Sequence, residues 1–106
     1  MTVRGRDVRV SGMVIGSSVI ELDIPGINSL KEKRSVLKGL IARVHKQFNV
    51  SCAEVGFHDV WQSSALGVAV CSTSAVHAQN VLENVVTWIE MNRPDLMVVD
   101  HSIEII

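Results

Sequence analysis

The chain has 106 residues, of which 47% are hydrophobic and 20% charged, and its formal net charge is −1. This length is that of a single domain, and the composition excludes an intrinsically disordered chain. No apolar run approaches the roughly 20 residues that a membrane-spanning helix needs. Only two Phe, two Trp and no Tyr are present, so few aromatic side chains are available to stack on nucleic-acid bases. We therefore expect a globular domain with no membrane partner.

The first twelve residues carry three arginines, but the apolar stretch of a secretion signal does not follow them. We predict a cytoplasmic protein with an N-terminal extension over 1–12, either disordered or adding to the first strand, and one domain over 13–106. Cys52 and Cys71 lie in apolar stretches and form no CxxC pair. This pattern favours buried, reduced core thiols, with a disulfide or a reactive thiol as the alternative.

The apolar pattern predicts six elements. Residues 13–24 alternate as a half-buried strand does, and a Pro-Gly pair ends the run. Ser29 and Glu32 form a capping-box pattern in front of an apolar face with helical spacing, which predicts a helix over 29–48. The same reasoning predicts a strand over 50–57, a connection over 58–62, a strand over 65–72, a helix over about 74–92 and a strand over 97–106.

The predicted order β-α-β-β-α-β indicates an α+β fold, the ferredoxin-like sandwich. Its four-stranded antiparallel sheet has the strand order 4-1-3-2, with both helices on one face. In this topology the chain segments 25–34, 58–62 and 93–95 all lie at the same end of the sheet. The sequence therefore predicts a candidate site where these three segments meet.

Charge is distributed unevenly along the chain. The predicted first helix has a net charge of +5, whereas residues 50–106 have a net charge of −6. Such a positive helix is suited to phosphates or to an acidic protein. Three cations near its N-terminus oppose the helix dipole at a cost of a few tenths to about 1 kcal/mol each, which indicates a nearby anion. That anion is either Asp59, paired with Lys33 or Arg34, or a group from outside the chain.

Trp61 is the second unusual residue, because it lies in a short connection between strands. It is either a lid over the end of the core or an exposed anchor for a partner. Gln62 is expected to satisfy the indole or the backbone of the turn. The candidate residues for binding RNA or another partner are thus Lys31, Lys33, Arg34, Lys38, Asp59, Trp61 and Gln62.

The sequence contains no sign of an enzyme. No nucleophile stands beside a base, the four histidines have no metal-ligand spacing, and nucleotide-binding and zinc-protease motifs are missing. We therefore predict no catalytic residue, no metal and no cofactor. The open face of the sheet is expected to carry Glu21, Asp23, Asp100 or Glu104, with Glu54 as a further candidate, and no alternating aromatics, which disfavours base stacking there. A second subunit or the N-terminal extension would cover its apolar residues, such as Val19.

Several short stretches follow one another at the spacing of a known family. They are Ile24-Pro25-Gly26, Ser29-Leu30-Lys31-Glu32-Lys33-Arg34, Asn49-Val50-Ser51, Ala53-Glu54-Val55, Asp59-x-Trp61-Gln62 and Leu66-Gly67-Val68-Ala69. Together they resemble the YlxP-like family of small bacterial domains of unknown function, over about Met13 to Ile106. The resemblance implies a ferredoxin-like fold, a bacterial source and genes lying beside translation-initiation and ribosome-maturation factors. It implies no activity.

The residues and the resemblance lead to one functional expectation and two alternatives. The expectation is a non-enzymatic binding module that associates with ribosomal RNA or a ribosome-associated protein through the basic first helix and its edge. The alternatives are a homo-oligomeric scaffold that pairs through the sheet face, and a binder of a small acidic ligand.

Overall fold

The computed structural model describes residues 12–106. The predicted extension over 1–12 lies outside this range except for its last residue. The six elements are β1 (Val14–Asp23), α1 (Leu30–Gln47), β2 (Ser51–Gly56), β3 (Ser63–Ser72), α2 (Ala75–Asn92) and β4 (Met97–Ile105). Neither helix of this part of the chain is long and apolar enough to cross a membrane.

The four strands form one antiparallel sheet in the order β2-β3-β1-β4. This order, read from the other edge, is the predicted 4-1-3-2, so the α+β ferredoxin-like fold is confirmed. β3 begins at Ser63, two residues earlier than predicted, because it pairs with β1 along the whole length of both strands. Strands β2 and β4 are left as the two edges of the sheet.

Both helices pack on the same side of the sheet, and the core lies between the two layers. The alternation of β1 places Ile20 and Leu22 in this core, where neither is exposed to solvent. α1 contributes its apolar stripe, and α2 contributes side chains at helical spacing. The fully enclosed apolar side chains include Leu40, Val44, Leu66, Ala78, Leu82 and Val85.

Serine caps begin both helices. The Ser29 hydroxyl accepts a hydrogen bond from the Glu32 N–H at 3.1 Å, and the Ser74 hydroxyl accepts one from the His77 N–H at 3.1 Å. The Glu32 carboxylate accepts from the N–H of Asn28 at 3.4 Å, not from that of Ser29. Of the two hydrogen bonds of the predicted capping box, only the one accepted by the Ser29 hydroxyl is formed. The Glu32 carboxylate binds the N–H of Asn28, the residue before Ser29.

The face of the sheet away from the helices carries acidic side chains on β1 and β4 and exposed apolar side chains, such as Val19 of β1 and Val55 of β2. Glu21, Asp23, Asp100 and Glu104 lie on this open face as expected, since the register of β1 and β4 pairs Glu21 with Asp100. No strand of residues 12–106 contains Phe, Tyr or Trp. The prediction for Glu54 was wrong. It pairs with the enclosed Leu66, and cross-strand partners point to the same side, so Glu54 faces the helices.

The two cysteines occupy different environments, and neither forms a disulfide. Cys52 is half-buried on the helix side of β2, and desolvation raises the pKa of its thiol to about 11. Cys71 is exposed near the end of β3. The prediction of a buried thiol is thus wrong for Cys71, because the pleat of β3 directs it to the open face of the sheet.

Candidate interaction site at one end of the sheet

Three chain segments that are distant in sequence meet at one end of the sheet. Asp23, the last residue of β1, pairs with Ser63 at the start of β3 and with Met97 at the start of β4. Beyond this pairing, the N–H of Ile24 donates to the carbonyl oxygen of Gln62 at 2.8 Å. The approach to α1, the β2–β3 loop over 57–62 and the α2–β4 turn therefore share one end, as the topology predicts.

Lys33 joins the first of these segments to the second. Its side chain is 1% exposed, and its ammonium donates to the carbonyl oxygens of Phe57 at 2.6 Å, Val60 at 2.6 Å and Ser63 at 3.1 Å. The carbonyl oxygen of His58 lies farther away, at 3.4 Å. An ammonium has three N–H donors, and carbonyl oxygens of the loop and of the first residue of β3 occupy them. We call this arrangement the lysine clamp.

Glu54 supplies the counter-charge of the lysine clamp. Its carboxylate lies 3.0 Å from the Lys33 ammonium and also accepts a hydrogen bond from the Ser64 hydroxyl at 2.7 Å. Ser64 is fully buried, and the Glu54 side chain is 17% exposed. A buried charge is tolerated when it is paired and hydrogen-bonded, and both conditions are met here.

The predicted pairing of Asp59 with Lys33 or Arg34 is wrong. Asp59 is exposed, and among residues 12–106 it forms no ion pair with either cation. The physical reason is that Glu54 and the loop carbonyls already surround the ammonium of Lys33. Lys33 is therefore buried inside the site and is not presented to a partner, contrary to its place among the binding candidates.

The lysine clamp draws the loop backbone inward and leaves the loop side chains outside. Phe57 and Val60 are each 45% exposed, and Trp61 is 49% exposed. Phe57 adopts a φ of 59°, a left-handed conformation that costs a residue with a side chain about 1–3 kcal/mol. Trp61 lies outside the core cluster, so the lid interpretation is wrong and the geometry is that of an exposed anchor.

Gln62 serves the loop and not the indole. Its side-chain amide donates to the carbonyl oxygen of Ile27 at 3.2 Å, which ties the end of the loop to the segment before α1. The observed partner is neither of the two expected for Gln62, because Ile27 belongs to the segment before α1 and not to the turn. The motif residues Lys33 and Gln62 thus act together, since both fix the β2–β3 loop against the start of α1.

The remaining candidate cations lie on the outside of α1. Lys31, Arg34 and Lys38 are exposed, and none of them pairs with a carboxylate of residues 12–106. Arg43 lies farther along α1, where its guanidinium is 5.4 Å from the centroid of the Trp88 ring. The exposed surface of α1 therefore carries a row of positive charge that begins beside the clamped loop.

In the α2–β4 turn, the third segment at this end of the sheet, Arg93 and Asp95 pair with each other. The Arg93 guanidinium donates to both carboxylate oxygens of Asp95, at 3.0 and 2.8 Å. The hydrogen bond from Arg93 lowers the pKa of Asp95 below its ordinary value, and the same bond raises the pKa of Arg93. This turn consequently adds no net charge to the positive surface.

Sequence reasoning missed the polar residues that make up the clamp. Glu54 and Ser64 were not among the candidates, although Glu54 alternates in phase with the half-buried Cys52 on β2 and Ser64 with the buried Leu66 on β3. No group of three or more His, Cys, Asp or Glu in the described range could hold a metal ion. The site has a saturated buried cation, exposed apolar side chains and exposed cations, and these groups are suited to binding.

Comparison with known proteins matches the chain to a family without an assigned activity. A family profile described as "Protein of unknown function (DUF503)" matches residues 15–103. A protein of Bacillus subtilis (strain 168), named Uncharacterized protein YlxP, is 42% identical over 77 residues. That alignment spans 73% of this chain and 84% of the Bacillus protein. The resemblance predicted from the short motifs is therefore confirmed.

Proposed function

Since the chain belongs to the DUF503 family, whose function is unknown, we propose its function from the site: a non-enzymatic module that binds ribosomal RNA. The exposed cations of α1 contact phosphates, and Trp61 on the clamped loop adds a contact that depends on the shape of the RNA. The open face of the sheet takes no part, because its strands have no aromatic side chain on which a base could stack.

The observation that supports this proposal is an exposed Trp61 on a loop fixed to α1, whose exposed cations pair with no carboxylate of residues 12–106. Lys31, Arg34 and Lys38 extend from the helix that the lysine clamp joins to the loop. A surface fixed before binding loses less conformational entropy when the complex forms. Phosphate contacts supply affinity, and an aromatic side chain on a rigid loop supplies selectivity for shape.

A salt titration of binding to purified ribosomal subunits tests the proposal. Each phosphate contact contributes roughly 0.7–0.9 to the slope of log K against log salt. The double variant Lys31→Gln with Lys38→Gln is expected to lower the magnitude of this slope by about 1.5 and to weaken binding. The matched control is Asn80→Asp with Met91→Glu, which makes the same charge change on the exposed surface of α2.

Two results would contradict RNA binding at this surface. One is the absence of binding at low salt, and the other is an equal change of slope in the α1 variant and the α2 control. Trp61→Ala is a further test of the RNA contact. It should weaken RNA binding and leave the slope of log K against log salt unchanged. A change in affinity with an unchanged slope is what the loss of an uncharged contact produces.

The open sheet face supports a second candidate, a homo-oligomeric scaffold. Val19 is 47% exposed and Val55 is 54% exposed, and both line a shallow hollow of about 440 Å³ across β1, β2 and β3. A contiguous exposed apolar area of this kind is typical of an interaction surface. The mass of the protein in solution distinguishes the two candidates, because a stable dimer that lacks affinity for RNA supports only the scaffold. The third expectation, a small acidic ligand, loses its main cation because Lys33 is saturated.

A further inference from the structure

A second groove lies between α1 and the edge strand β2. It has a volume of about 460 Å³, and α1 supplies six of its lining residues. These residues recur at three- and four-residue intervals, so they form a single flank of the helix. The floor of the groove is apolar, with Leu37, Ile41 and Ala42, and its rim on α1 carries Arg34, Lys38 and His45. The seventh lining residue is Glu54 of β2, whose carboxylate is paired with the Lys33 ammonium at 3.0 Å.

This flank of α1 faces away from α2. On the opposite side of the helix, Arg43 lies over the ring of Trp88, which belongs to α2. The groove side of α1 therefore extends over β2, which is an edge strand of the sheet. One side of β2 has no neighbouring strand in the described part of the chain, so half of its backbone N–H and C=O groups can pair with an added strand.

The two edges of the sheet differ in their protection against such pairing. On β4, the register shifts opposite Glu21 and Leu22, and the strand carries the exposed acids Asp100 and Glu104. Bulges and charges of this kind discourage the addition of a strand. β2 also has a register irregularity, between Glu54 and Gly56, so its regular part is residues 51–54. This part has no proline or lysine, and its single charge, Glu54, is paired with Lys33 in the lysine clamp. β2 is therefore the open edge.

We propose that the groove and the free edge of β2 form one binding site for an extended acidic peptide segment of a partner protein. The peptide backbone pairs with β2 as a fifth strand of the sheet. Its alternate side chains face α1, where apolar groups pack on Ile41 and Ala42 and carboxylates meet Arg34 and Lys38. The proposal does not rest on RNA binding, since it requires the backbone edge and the apolar floor.

The charge of the rim decides between this occupant and a second copy of the chain. Pairing two β2 edges about a two-fold axis would place both α1 helices on the same side of the joined sheet. The flanks that carry Arg34 and Lys38 would then face each other, and like charges disfavour that contact. An acidic peptide bound to one copy instead places its carboxylates against Arg34 and Lys38, and unlike charges favour that contact.

Three synthetic peptides, labelled with a fluorophore, test the site by fluorescence anisotropy. The first alternates valine and glutamate, the second alternates valine and lysine, and the third is the first with a central proline. We expect the glutamate peptide to bind at least tenfold more tightly than either of the others, because lysine is repelled by the rim and proline cannot complete a strand ladder. NMR should show slower exchange of the backbone amides of β2 in the complex. Equal binding of all three peptides would overturn the proposal.

Variants separate this site from the proposed RNA surface. Ala42→Glu places an acid on an exposed position of the groove and should weaken binding of the glutamate peptide at least tenfold. Gln47→Glu is the matched control, since it adds the same charge to an exposed position of α1 outside the groove. Lys31→Gln, also outside the groove, should leave peptide binding unchanged while it lowers RNA affinity. Equal losses in the two glutamate variants, or protection of β2 by self-association without peptide, would refute the proposal.

Discussion

Replacement of Lys33 by methionine tests the lysine clamp, because methionine keeps most of the volume of the side chain and removes its charge. The variant leaves the carboxylate of Glu54 without its buried counter-charge and leaves the carbonyl oxygens of Phe57, Val60 and Ser63 without a donor. Breaking a buried ion pair by removing one partner typically costs 3–5 kcal/mol. The side chain is 1% exposed, so water has little access to replace the lost bonds. We therefore expect Lys33→Met to lower the free energy of unfolding by about 3–5 kcal/mol.

Equilibrium unfolding in urea measures this change. For a domain of this size, a loss of that magnitude lowers the urea midpoint by roughly 1–3 M at an unchanged slope. Lys31→Met is the matched control, because Lys31 lies two residues away on the exposed surface of α1 and should shift the stability by at most about 0.5 kcal/mol.

The pairing with Glu54 adds a further check. Glu54→Gln should cost less than Lys33→Met, since Lys33 still has the loop carbonyls as partners. The double variant should be more stable than the sum of the single effects predicts, by about 0.5–3 kcal/mol. If the free energy of unfolding of Lys33→Met lies within about 0.5 kcal/mol of that of the unmodified protein, the lysine clamp does not stabilise the fold.

Three other substitutions and one thiol measurement have definite outcomes. Trp61→Ala should cost less than about 1.5 kcal/mol in urea unfolding, whereas a lid over the core would cost about 3–5 kcal/mol. Gly67→Ala should lower stability by about 1–3 kcal/mol, because the new Cβ would lie 2.7 Å from Cγ1 of Val55. Gly39→Ala, in an open part of α1, should instead raise stability by about 0.5–1 kcal/mol, and equal effects at the two glycines would contradict the packing argument. At pH 8 the thiolate fraction of Cys52 should be roughly 100-fold below that of a thiol with a pKa of 9.0, so thiol titration should label the exposed cysteine of β3 first; faster reaction of Cys52 would contradict its burial.

The fold could be predicted because local signals along the chain agree with one another. The alternation of β1, the serine cap of α1 and the Pro-Gly pair after β1 each act over a few residues, and each appears in the structure. The convergence of three segments at one end followed from topology alone. Short-range periodicity thus determines which residues are buried and, through the order of elements, which connections lie together.

The partner of Lys33 could not be predicted in the same way. A helical wheel places Lys33 within the apolar stripe, which indicates burial of its stem but does not identify what surrounds its ammonium. The partners are mainly backbone carbonyls of a loop 24–30 residues away, and backbone groups leave no signal in the sequence. The charged partner, Glu54, depends on which face of β2 meets the helices, whereas Asp59 was chosen for its proximity to the same end. The contact between Lys33 and Glu54 therefore depends on how β2 pairs with the rest of the sheet, which a local sequence pattern does not show.

The exposure of Trp61 had a related cause. Large apolar residues are usually buried, so a tryptophan in a short connection favours the lid interpretation. In the structure, the Lys33 ammonium binds the backbone carbonyls of Phe57 and Val60, and the Trp61 side chain is 49% exposed. Contacts to backbone groups leave no signal in the sequence, so residue type alone favoured burial of Trp61.

The most direct measurement of the lysine clamp is an NMR spectrum of the lysine ammonium groups in protein labelled with nitrogen-15. Protons of a buried, hydrogen-bonded ammonium exchange with water only when the local structure opens, whereas those of exposed lysines exchange freely. We expect one ammonium signal that persists at neutral pH, belongs to Lys33 and disappears in Lys33→Met. Rapid exchange at Lys33, at the same rate as at Lys31, would show that the lysine clamp is absent in solution.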